Sequence, residues 1–435
     1  MATSSIILIC SLLCLSAASL SHAVVPDSQT FKYVNEGEFG DYATEYGATY
    51  RVLPIASSPF QLFFYNTTPN AYRLGLRMGT TRSESTLRWV WDANRNAPVS
   101  ENATLSFGRD GNLVLANPDG RAVWSTATAN KGVVGFRLLP NGNIVLHDSK
   151  GRFVWQSFDH PTDTLLVGQT LRSGGPTKLV SRTSASDPSE GPYSFVMEPT
   201  GLSLYLAVPG VKNPVSYSGD TYRITPGSPL TSVAFTSAPE TDEAYAYELK
   251  LELTENKTFS AGSFFVGRPK YNATLSFLRI ESDGNLKSYT FYDKVDYRAW
   301  ETAFATFASD GRLSGCSLPA KCGSLGVCEE EMCVACPRPQ GLLGWSKACQ
   351  APKISSCAGR FDYYRVEGVE HFLSAWNEGE GRVTVTGCRD KCSKDCKCAG
   401  FVYKQESSRC LLVPVIGTLA KGENAAHSVY IKVPK

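Results

Sequence analysis

The stretch LSFGRDGNLVLANPDGRAVWS (105–125) decides the fold, because the chain repeats it directly as FRLLPNGNIVLHDSKGRFVWQ (136–156). Each copy combines an Asp/Asn-Gly turn, an alternating apolar run, a second glycine turn and a run that ends in tryptophan. Another tryptophan, Trp91, precedes Trp124 at nearly the spacing between Trp124 and Trp155. Units of this length cannot bury their apolar faces alone, so we predict three related units that share one all-β core.

The tryptophans Trp91, Trp124 and Trp155 allow two interpretations. They can pack together near the axis of a pseudo-threefold prism, or they can form a stacking platform for a ligand. Their recurrence in phase with the repeat favours the core, because buried aromatic rings dominate core energetics.

The N-terminal residues 1–23 predict a secretion signal peptide. An apolar run, 6–15, is followed by small residues and a Ser-His-Ala cleavage signal. That run is too short to span a bilayer, and no later segment approaches about 18 consecutive apolar residues. We therefore expect a soluble, exported protein of the extracellular space, without a membrane span.

Charge and cysteine usage narrow the class further. The formal net charge is +2, from 43 Lys and Arg against 41 Asp and Glu, which gives no electrostatic reason to expect a nucleic-acid partner. Of the 14 cysteines, Cys10 and Cys14 lie in the signal peptide and the others lie between Cys316 and Cys410. An even, clustered set in a secreted chain predicts disulfides in small domains. Four N-glycosylation sequons fit this setting, at Asn66, Asn102, Asn256 and Asn272.

The run VWDANRNAPVSENATLSFGRDGNLVLANPDGRAVWST, with VWQSFDHPTDTLLVGQ after it, closely resembles the plant bulb-type (monocot mannose-binding) lectin domain. More narrowly, the chain resembles secreted epidermis-specific glycoproteins, which share their layout with S-locus glycoproteins and related receptor kinases. The resemblance implies a mainly β chain of tandem β-prisms, then an EGF-like module and a PAN/apple α+β domain. The predicted domains are lectin domain 1 (24–168), a degenerate lectin-like domain 2 (169–310), the EGF-like module (316–349) and the PAN/apple domain (357–433).

The resemblance also implies a disulfide pairing, which cysteine spacing alone does not determine. The implied pairs are Cys316–Cys328, Cys322–Cys333, Cys336–Cys349, Cys357–Cys396, Cys388–Cys410 and Cys392–Cys398. Because Cys388 and Cys392 are four residues apart, a short helix would place both on one side. The CxxC at Cys333 and Cys336 could also hold a metal, but no histidine is nearby, and we expect no metal and no cofactor.

Sugar binding is the sharpest functional hypothesis. In the family's working site, Gln-x-Asp-x-Asn-x-Val-x-Tyr lies on one strand, where alternate residues share a face. The first copy here supplies Asp110, Asn112 and Val114, and the second supplies Asn141, Asn143 and Val145. Both copies lack the Gln and the Tyr, because the flanking positions hold Gly108 and Ala116, and Leu139 and His147.

The same residues have a structural interpretation. Asp110-Gly111 is a turn signal, and a short polar side chain at a strand start can bond the nearby backbone. A third sequence of this type, Asp283-Gly284-Asn285, enters a strand in domain 2, where Lys287 and Tyr289 stand in place of Val114 and Ala116. We rate this third copy as a poor sugar motif.

We predict that the protein is not an enzyme. The most suggestive polar group, Asp159, His160 and Asp163, lies in a Pro-containing segment typical of a turn, and no nucleophile or metal motif accompanies it. Two functions stay open. One is a cell-wall glycoprotein with mannose-type glycan binding, weak or degenerate, toward glycans or glycoproteins. The other is a non-catalytic protein–protein interaction or cell-to-cell signalling glycoprotein, with a protein partner or dimer contact through the PAN domain.

Overall fold

The structure is a computed structural model that describes residues 24–81, 86–218, 222–223, 229–239, 247–256, 259–269, 275–295, 297, 299–311, 313–354 and 359–435. The predicted signal peptide therefore lies outside the described residues. Within these ranges the chain is mainly β, as predicted, with one α-helix, α1 (Val385–Lys394). Short 3-10 helices occur at Asp27–Gln29, Glu45–Gly47, Ser157–Asp159 and Gly315–Ser317.

The first eleven strands form three antiparallel sheets around one apolar core. The sheet orders are β2-β3-β4-β5, β1-β6-β7-β8 and β11-β10-β9. The strands are β1 (Phe31–Val34), β2 (Thr49–Ser57), β3 (Phe60–Asn66), β4 (Arg73–Met78), β5 (Arg88–Asp92), β6 (Thr104–Phe107), β7 (Leu113–Ala116), β8 (Ala122–Ser125), β9 (Val133–Leu138), β10 (Ile144–Asp148) and β11 (Phe153–Gln156). We call this set the first unit.

Each sheet of the first unit contributes one tryptophan to a common cluster. The rings of Trp91, Trp124 and Trp155 have centroids 6.0, 6.3 and 5.9 Å apart and meet at 70–76°. Such edge-to-face contacts are a favoured geometry for aromatic pairs. Trp91 is buried, whereas Trp124 and Trp155 are half-buried, so the cluster is partly core and partly surface.

A second set of three sheets, the second unit, follows. Their orders are β12-β22-β23-β24, β13-β19-β20-β21 and β14-β15-β16-β17, with β18 paired to β16. The strands are β12 (Thr164–Leu166), β13 (Thr170–Arg172), β14 (Lys178–Arg182), β15 (Glu190–Glu198), β16 (Gly201–Leu206), β17 (Val215–Ser216), β18 (Tyr222–Arg223), β19 (Leu230–Pro239), β20 (Tyr247–Glu255), β21 (Phe259–Phe265), β22 (Ser276–Ile280), β23 (Leu286–Phe291) and β24 (Trp300–Ala305).

The boundary between the units differs from the predicted division at 168/169. β12 pairs with β22 of the second unit, Thr164 opposite Arg279, so the predicted first domain contains a strand of its neighbour's sheet. The sheet that β12 joins is buried on both faces. Phe277 and Tyr289 lie in the core of the first unit, and Leu278 lies in the core of the second. Sequence periodicity fixes which faces a strand buries but not its partner.

Two groups of buried charges lie where the units meet. Arg279 of β22 contacts Glu45 of the first unit, Nη1 to Oε1 at 3.0 Å. Arg182 of β14 contacts Asp92 of β5 at 2.8 Å and Asp163 at 3.2 Å. Burial raises the pKa of Asp163, but the neighbouring cations, Arg95 first among them, outweigh it and lower that pKa to about 2.

The C-terminal strands form two sheets, β27-β26-β25-β32-β29 and β28-β33-β30-β31. They are β25 (Leu325–Glu329), β26 (Met332–Arg338), β27 (Gly341–Gly344), β28 (Phe361–Glu367), β29 (Val369–His371), β30 (Gly400–Lys404), β31 (Arg409–Val413), β32 (Gly417–Lys421) and β33 (His427–Pro434). The β25–β32 pair is parallel, with Leu325 opposite Gly417. The predicted EGF-like and PAN/apple segments therefore share one sheet.

Disulfides hold this C-terminal region together. The described residues contain the pairs Cys316–Cys328, Cys322–Cys333, Cys336–Cys349, Cys388–Cys410 and Cys392–Cys398, which are the pairs that the family resemblance implies. Helix α1 carries Cys388 and Cys392, both fully buried. The two CxxC cysteines bond different partners. The predicted pair Cys357–Cys396 includes Cys357, which lies outside the described residues.

Candidate functional site

The first predicted sugar motif lies on the outer face of β7. Leu113 and Leu115 point into the core of the first unit. Because side chains alternate along a strand, the neighbouring positions face outward. Asp110 is exposed, and Asn112 and Val114 are half-buried. Val114 lies on this outward face of β7, and Asp110 and Asn112 lie in the turn that leads into the strand, so all three are at least partly accessible.

The polar groups of this face also hold the local backbone. An Oδ1 atom of Asp110 accepts the N–H of Asn112 at 3.1 Å. The Asn112 Oδ1 accepts bonds from the Thr126 hydroxyl and the Thr128 N–H, both at 3.1 Å. These contacts close the turn before β7 and tie it to the chain beyond β8, so the residues would keep a structural role without any ligand.

The second predicted motif is not accessible. Asn143 is 3% exposed and Val145 is 0% exposed. The Asn143 side chain donates to Gln156 Oε1 at 2.8 Å and accepts the N–H of Phe158 at 3.3 Å. Asn141 alone remains exposed. The expected site at Asn141, Asn143 and Val145 therefore needs correction, because the asparagine at its centre and the valine are buried.

The third copy of the motif, at Asp283 and Asn285, matches the family spacing at more positions than we predict above. Counting two residues before Asp283 places Glu281 at the Gln position, and Tyr289 stands at the Tyr position. Its phenol donates to Glu281 Oε1 at 2.7 Å. Extending the repeat alignment two residues upstream would have found this pair. However, Tyr289 is 7% exposed, and burial raises the pKa values of both side chains. The first unit covers this strand face.

All three copies share one structural device, which we call the turn-and-latch. The first residue accepts the N–H two positions on, and the asparagine Oδ1 accepts a backbone N–H from beyond the next strand. The latch bonds are Thr128 N–Asn112, Phe158 N–Asn143 and Phe307 N–Asn285 at 3.1, 3.3 and 3.1 Å. The intervening glycines have φ values of 78°, 85° and 87°, which favour glycine. The motif is therefore a fold element wherever it occurs.

The polar group after β11 does not converge on a pocket. Asp159 pairs with Arg172 at 2.8 Å. Asp163 is buried against Arg182. The exposed His160 ring instead stacks on Trp155, with centroids 5.3 Å apart. The three side chains face different partners, and this arrangement holds no nucleophile–base pair.

The glycosylation sequons occupy different environments. Asn102 and Asn256 are exposed, at φ values of 60° and 46°. Asn66 ends β3, is 7% exposed and accepts a bond from the Thr49 hydroxyl, so a glycan there would need local opening. Asn272 lies outside the described residues. Glycosylation at all four positions stays a prediction.

The chain matches the family model for D-mannose binding lectin over residues 88–185. It is 48% identical to EP1-like glycoprotein 2 of Arabidopsis thaliana, covering 98% of this chain and 99% of that protein. It is 51% identical to the epidermis-specific secreted glycoprotein EP1 of Daucus carota, covering 80% of this chain and 93% of that protein.

More distant comparisons are weaker. An S-locus-specific glycoprotein of Brassica oleracea is 27% identical, over 81% of this chain and 80% of that protein. A solved two-domain, fetuin-binding lectin of Scilla campanulata aligns at 15% identity over 59% of this chain and 95% of its own, with a TM-score of 0.20, which carries no argument about fold. Within the described ranges no helix has the length and apolar character to cross a bilayer. On the full-length identities, the chain belongs to the family of EP1-like, epidermis-specific secreted glycoproteins and carries a D-mannose binding lectin domain.

Proposed function

We propose that this protein is a secreted, non-catalytic glycoprotein of the extracellular space or cell wall that binds a mannose-type hexose on the outer face of β7. The observation that carries the proposal is accessibility. Of the three turn-and-latch copies, the first alone presents its Asp110, Asn112 and Val114 face to solvent, whereas Val145 and Tyr289 are buried. The relationship to a secreted glycoprotein supports export.

The chemistry fits one sugar ring bound weakly. The exposed Asp110 carboxylate uses one oxygen for the turn and keeps the other for hydroxyl donors. The Asn112 amide lies beside it, and the half-buried Val114 can pack on ring carbons. Gly108 and Ala116 offer neither the amide nor the phenol of a full site. Each missing hydrogen bond removes about 1 kcal/mol, and millimolar binding is only about 4 kcal/mol, so we expect millimolar or weaker affinity.

The domain assignment belongs to the same proposal. The two trios of sheets are taken as tandem β-prisms, the second one degenerate. Residues 316–349 are taken as an EGF-like module and 357–433 as a PAN/apple domain, which the cysteine pairing and the helix α1 support. On this view the prisms recognise glycans and the disulfide-rich region supplies a rigid base.

The test compares matched substitutions in two copies of the motif. Asp110→Asn keeps the turn, because Asn141 already makes the same backbone contact at 3.2 Å in the second copy. Asn141→Asp is the reciprocal control. Methyl α-mannoside is titrated into the full-length glycosylated protein and followed by NMR chemical shifts. We expect Asp110→Asn to weaken binding about tenfold, as loss of a charged hydrogen bond does, and Asn141→Asp to leave it unchanged.

Equal effects of the two substitutions, or no mannoside binding by the unaltered protein, would remove the β7 site. A glycan array on the same proteins would extend the result to larger mannose-type ligands.

One observation favours the second candidate function, protein–protein interaction. The hairpin of β26 and β27 exposes Met332, Leu342 and Leu343 at 62%, 60% and 61%. Exposed apolar side chains on an edge strand are typical of contact surfaces. Changing both leucines to serine should abolish the binding of any protein partner that is still bound after enzymatic deglycosylation. A partner retained by the variant would leave this hairpin without a role.

A further inference from the structure

An open cleft of about 640 Å³ lies at the tryptophan cluster of the first unit, and Asp110 is not among the residues that line it. The cleft is bounded by the ends of β5, β8 and β11 and by the turn after β11. Its volume falls within the range of small-ligand sites, about 300–1,000 Å³. Its lining includes Trp91, Trp124, Trp155, His160, Arg95 and Glu190.

One wall of the cleft is aromatic and fixed in place. Trp124 and Trp155 stay half-buried although they are among the largest apolar side chains of the unit. Trp91 holds the turn by donating its indole N–H to the His160 carbonyl at 2.8 Å. The His160 ring then lies parallel to Trp155, at 14°. Partly exposed rings in a concave, preformed site are typical of ligand recognition.

Polar residues also line the cleft, Arg95 and Glu190 among them. Arg95 is held by bonds from Nε to the Pro188 carbonyl at 2.9 Å and from Nη1 to the Val180 carbonyl at 2.8 Å. Its buried Nη2 has no hydrogen-bond acceptor among the described residues and lies 3.7 Å from Asp163. Glu190 is exposed at the rim, and its backbone N–H donates to Asn96.

We infer that this cleft is a second carbohydrate site, which takes one hexose residue with its apolar face on the aromatic wall and its hydroxyls toward Glu190. A flat aromatic ligand fits less well, because the three indoles meet at 70–76° and leave no parallel slot between them. A carboxylate at the rim also calls for hydroxyl donors. The inference rests on glycan binding as the general function, but not on the β7 face.

The experiment uses the full-length glycosylated protein and the methyl glycosides of mannose, glucose and galactose as probes. Saturation-transfer NMR and intrinsic tryptophan fluorescence are followed for the unaltered protein, His160→Ala, Glu190→Gln and Asp110→Asn. His160 and Glu190 are exposed, and the His160 carbonyl that holds Trp91 survives substitution, so the fold should be retained. Thermal unfolding checks this.

We expect saturable binding of at least one glycoside, weakened at least fivefold by His160→Ala and by Glu190→Gln and unaffected by Asp110→Asn. Absence of saturable binding for all three glycosides, or unchanged affinity in both cleft variants, overturns the inference. Binding that Asp110→Asn abolishes and the cleft variants leave intact overturns the cleft while supporting β7. Tryptophan-fluorescence binding that the cleft variants weaken and Asp110→Asn leaves intact supports the cleft, and the β7 site is then decided by its own chemical-shift titration.

Discussion

Arg182 is one of the buried cations at the contact between the two units. Its guanidinium reaches Asp92, Asp163 and the Tyr65 hydroxyl at 2.8, 3.2 and 3.1 Å. The side chain of Asp92 is 0% exposed, and that of Asp163 is 1% exposed. Arg182→Met removes the cation and leaves two carboxylates buried with fewer partners.

The expected loss is about 3–5 kcal/mol, as for other buried ion pairs deprived of one partner. That is a large share of a typical folding stability of about 5–15 kcal/mol. Asp163 gives an independent measure. The difference between its usual pKa of 3.8 and about 2 corresponds to roughly 2 kcal/mol, which is what remains after burial opposes the combined effect of Arg95, Arg182, Arg279 and the Thr164 hydrogen bond.

The assay is urea unfolding followed by tryptophan fluorescence, near neutral pH and near pH 4. The matched control is Arg172→Met, because Arg172 is 46% exposed and its pair with Asp159 should contribute about 0–1 kcal/mol. Since a lowered carboxylate pKa stabilises the fold above the unfolded value, the unaltered protein has this contribution in full above about pH 4 and loses it progressively as the pH falls from about 4 to about 2.

In Arg182→Met the buried carboxylates take up protons more readily, so its deficit relative to the unaltered protein should shrink near pH 4. The reasoning is refuted if Arg182→Met destabilises no more than Arg172→Met, or if its deficit grows on acidification.

Three further predictions concern fold elements. Asn143→Ala should lower the free energy of unfolding by about 1–3 kcal/mol, because it leaves buried partners of the latch unbonded. Asn141→Ala, at the exposed turn, should lower it clearly less, and equal losses in urea unfolding would contradict the latch. Gly142→Ala should destabilise the protein more than Gly151→Ala. Both glycines have a positive φ, 85° and 78°, but of the two only Gly142 would bring a Cβ against another residue, Leu166 at 2.7 Å. Matching unfolding midpoints would show that this contact has no effect on stability. Burial lowers the pKa of His371 from 6.5 to about 4. The unfolded state therefore binds more protons between these pH values, and stability should fall as the pH drops through them. His371→Gln should flatten that part of the pH–stability curve, and an unchanged slope would assign the slope to other groups.

Local structure in this chain follows closely from local sequence. The Asp110-Gly111-Asn112 and Asn141-Gly142-Asn143 turns form as the residues predict, because glycine accepts positive φ and a short polar side chain bonds the backbone two positions on. The three tryptophans meet because they recur in phase with the repeat. Helix α1 places Cys388 and Cys392 together because they are four residues apart.

The candidate site was predictable only in part. Alternation predicts outward positions for Asn112 and Asn143, each next to a core-facing residue at the start of β7 or β10, but the two asparagines differ in exposure. The Asn143 side chain bonds the side chains of Gln156 and Ser157 in addition to the Phe158 N–H. The spacing of Glu281 and Tyr289 can be recognised in the sequence, but the burial of this pair depends on the first unit, which packs against it.

The sequence by itself determined the strands, the turns and the tryptophan cluster, because these rest on periodicity and on contacts between near neighbours. The relation to a lectin family was likewise available from the sequence, through the resemblance of its motifs to that family. Only the tertiary structure decided which motif faces solvent. That outcome depends on pairings such as Thr164 with Arg279 and Leu325 with Gly417, which join segments far apart in the chain. The alternation of apolar residues indicates that a face is buried, and only long-range packing determines which surface covers it.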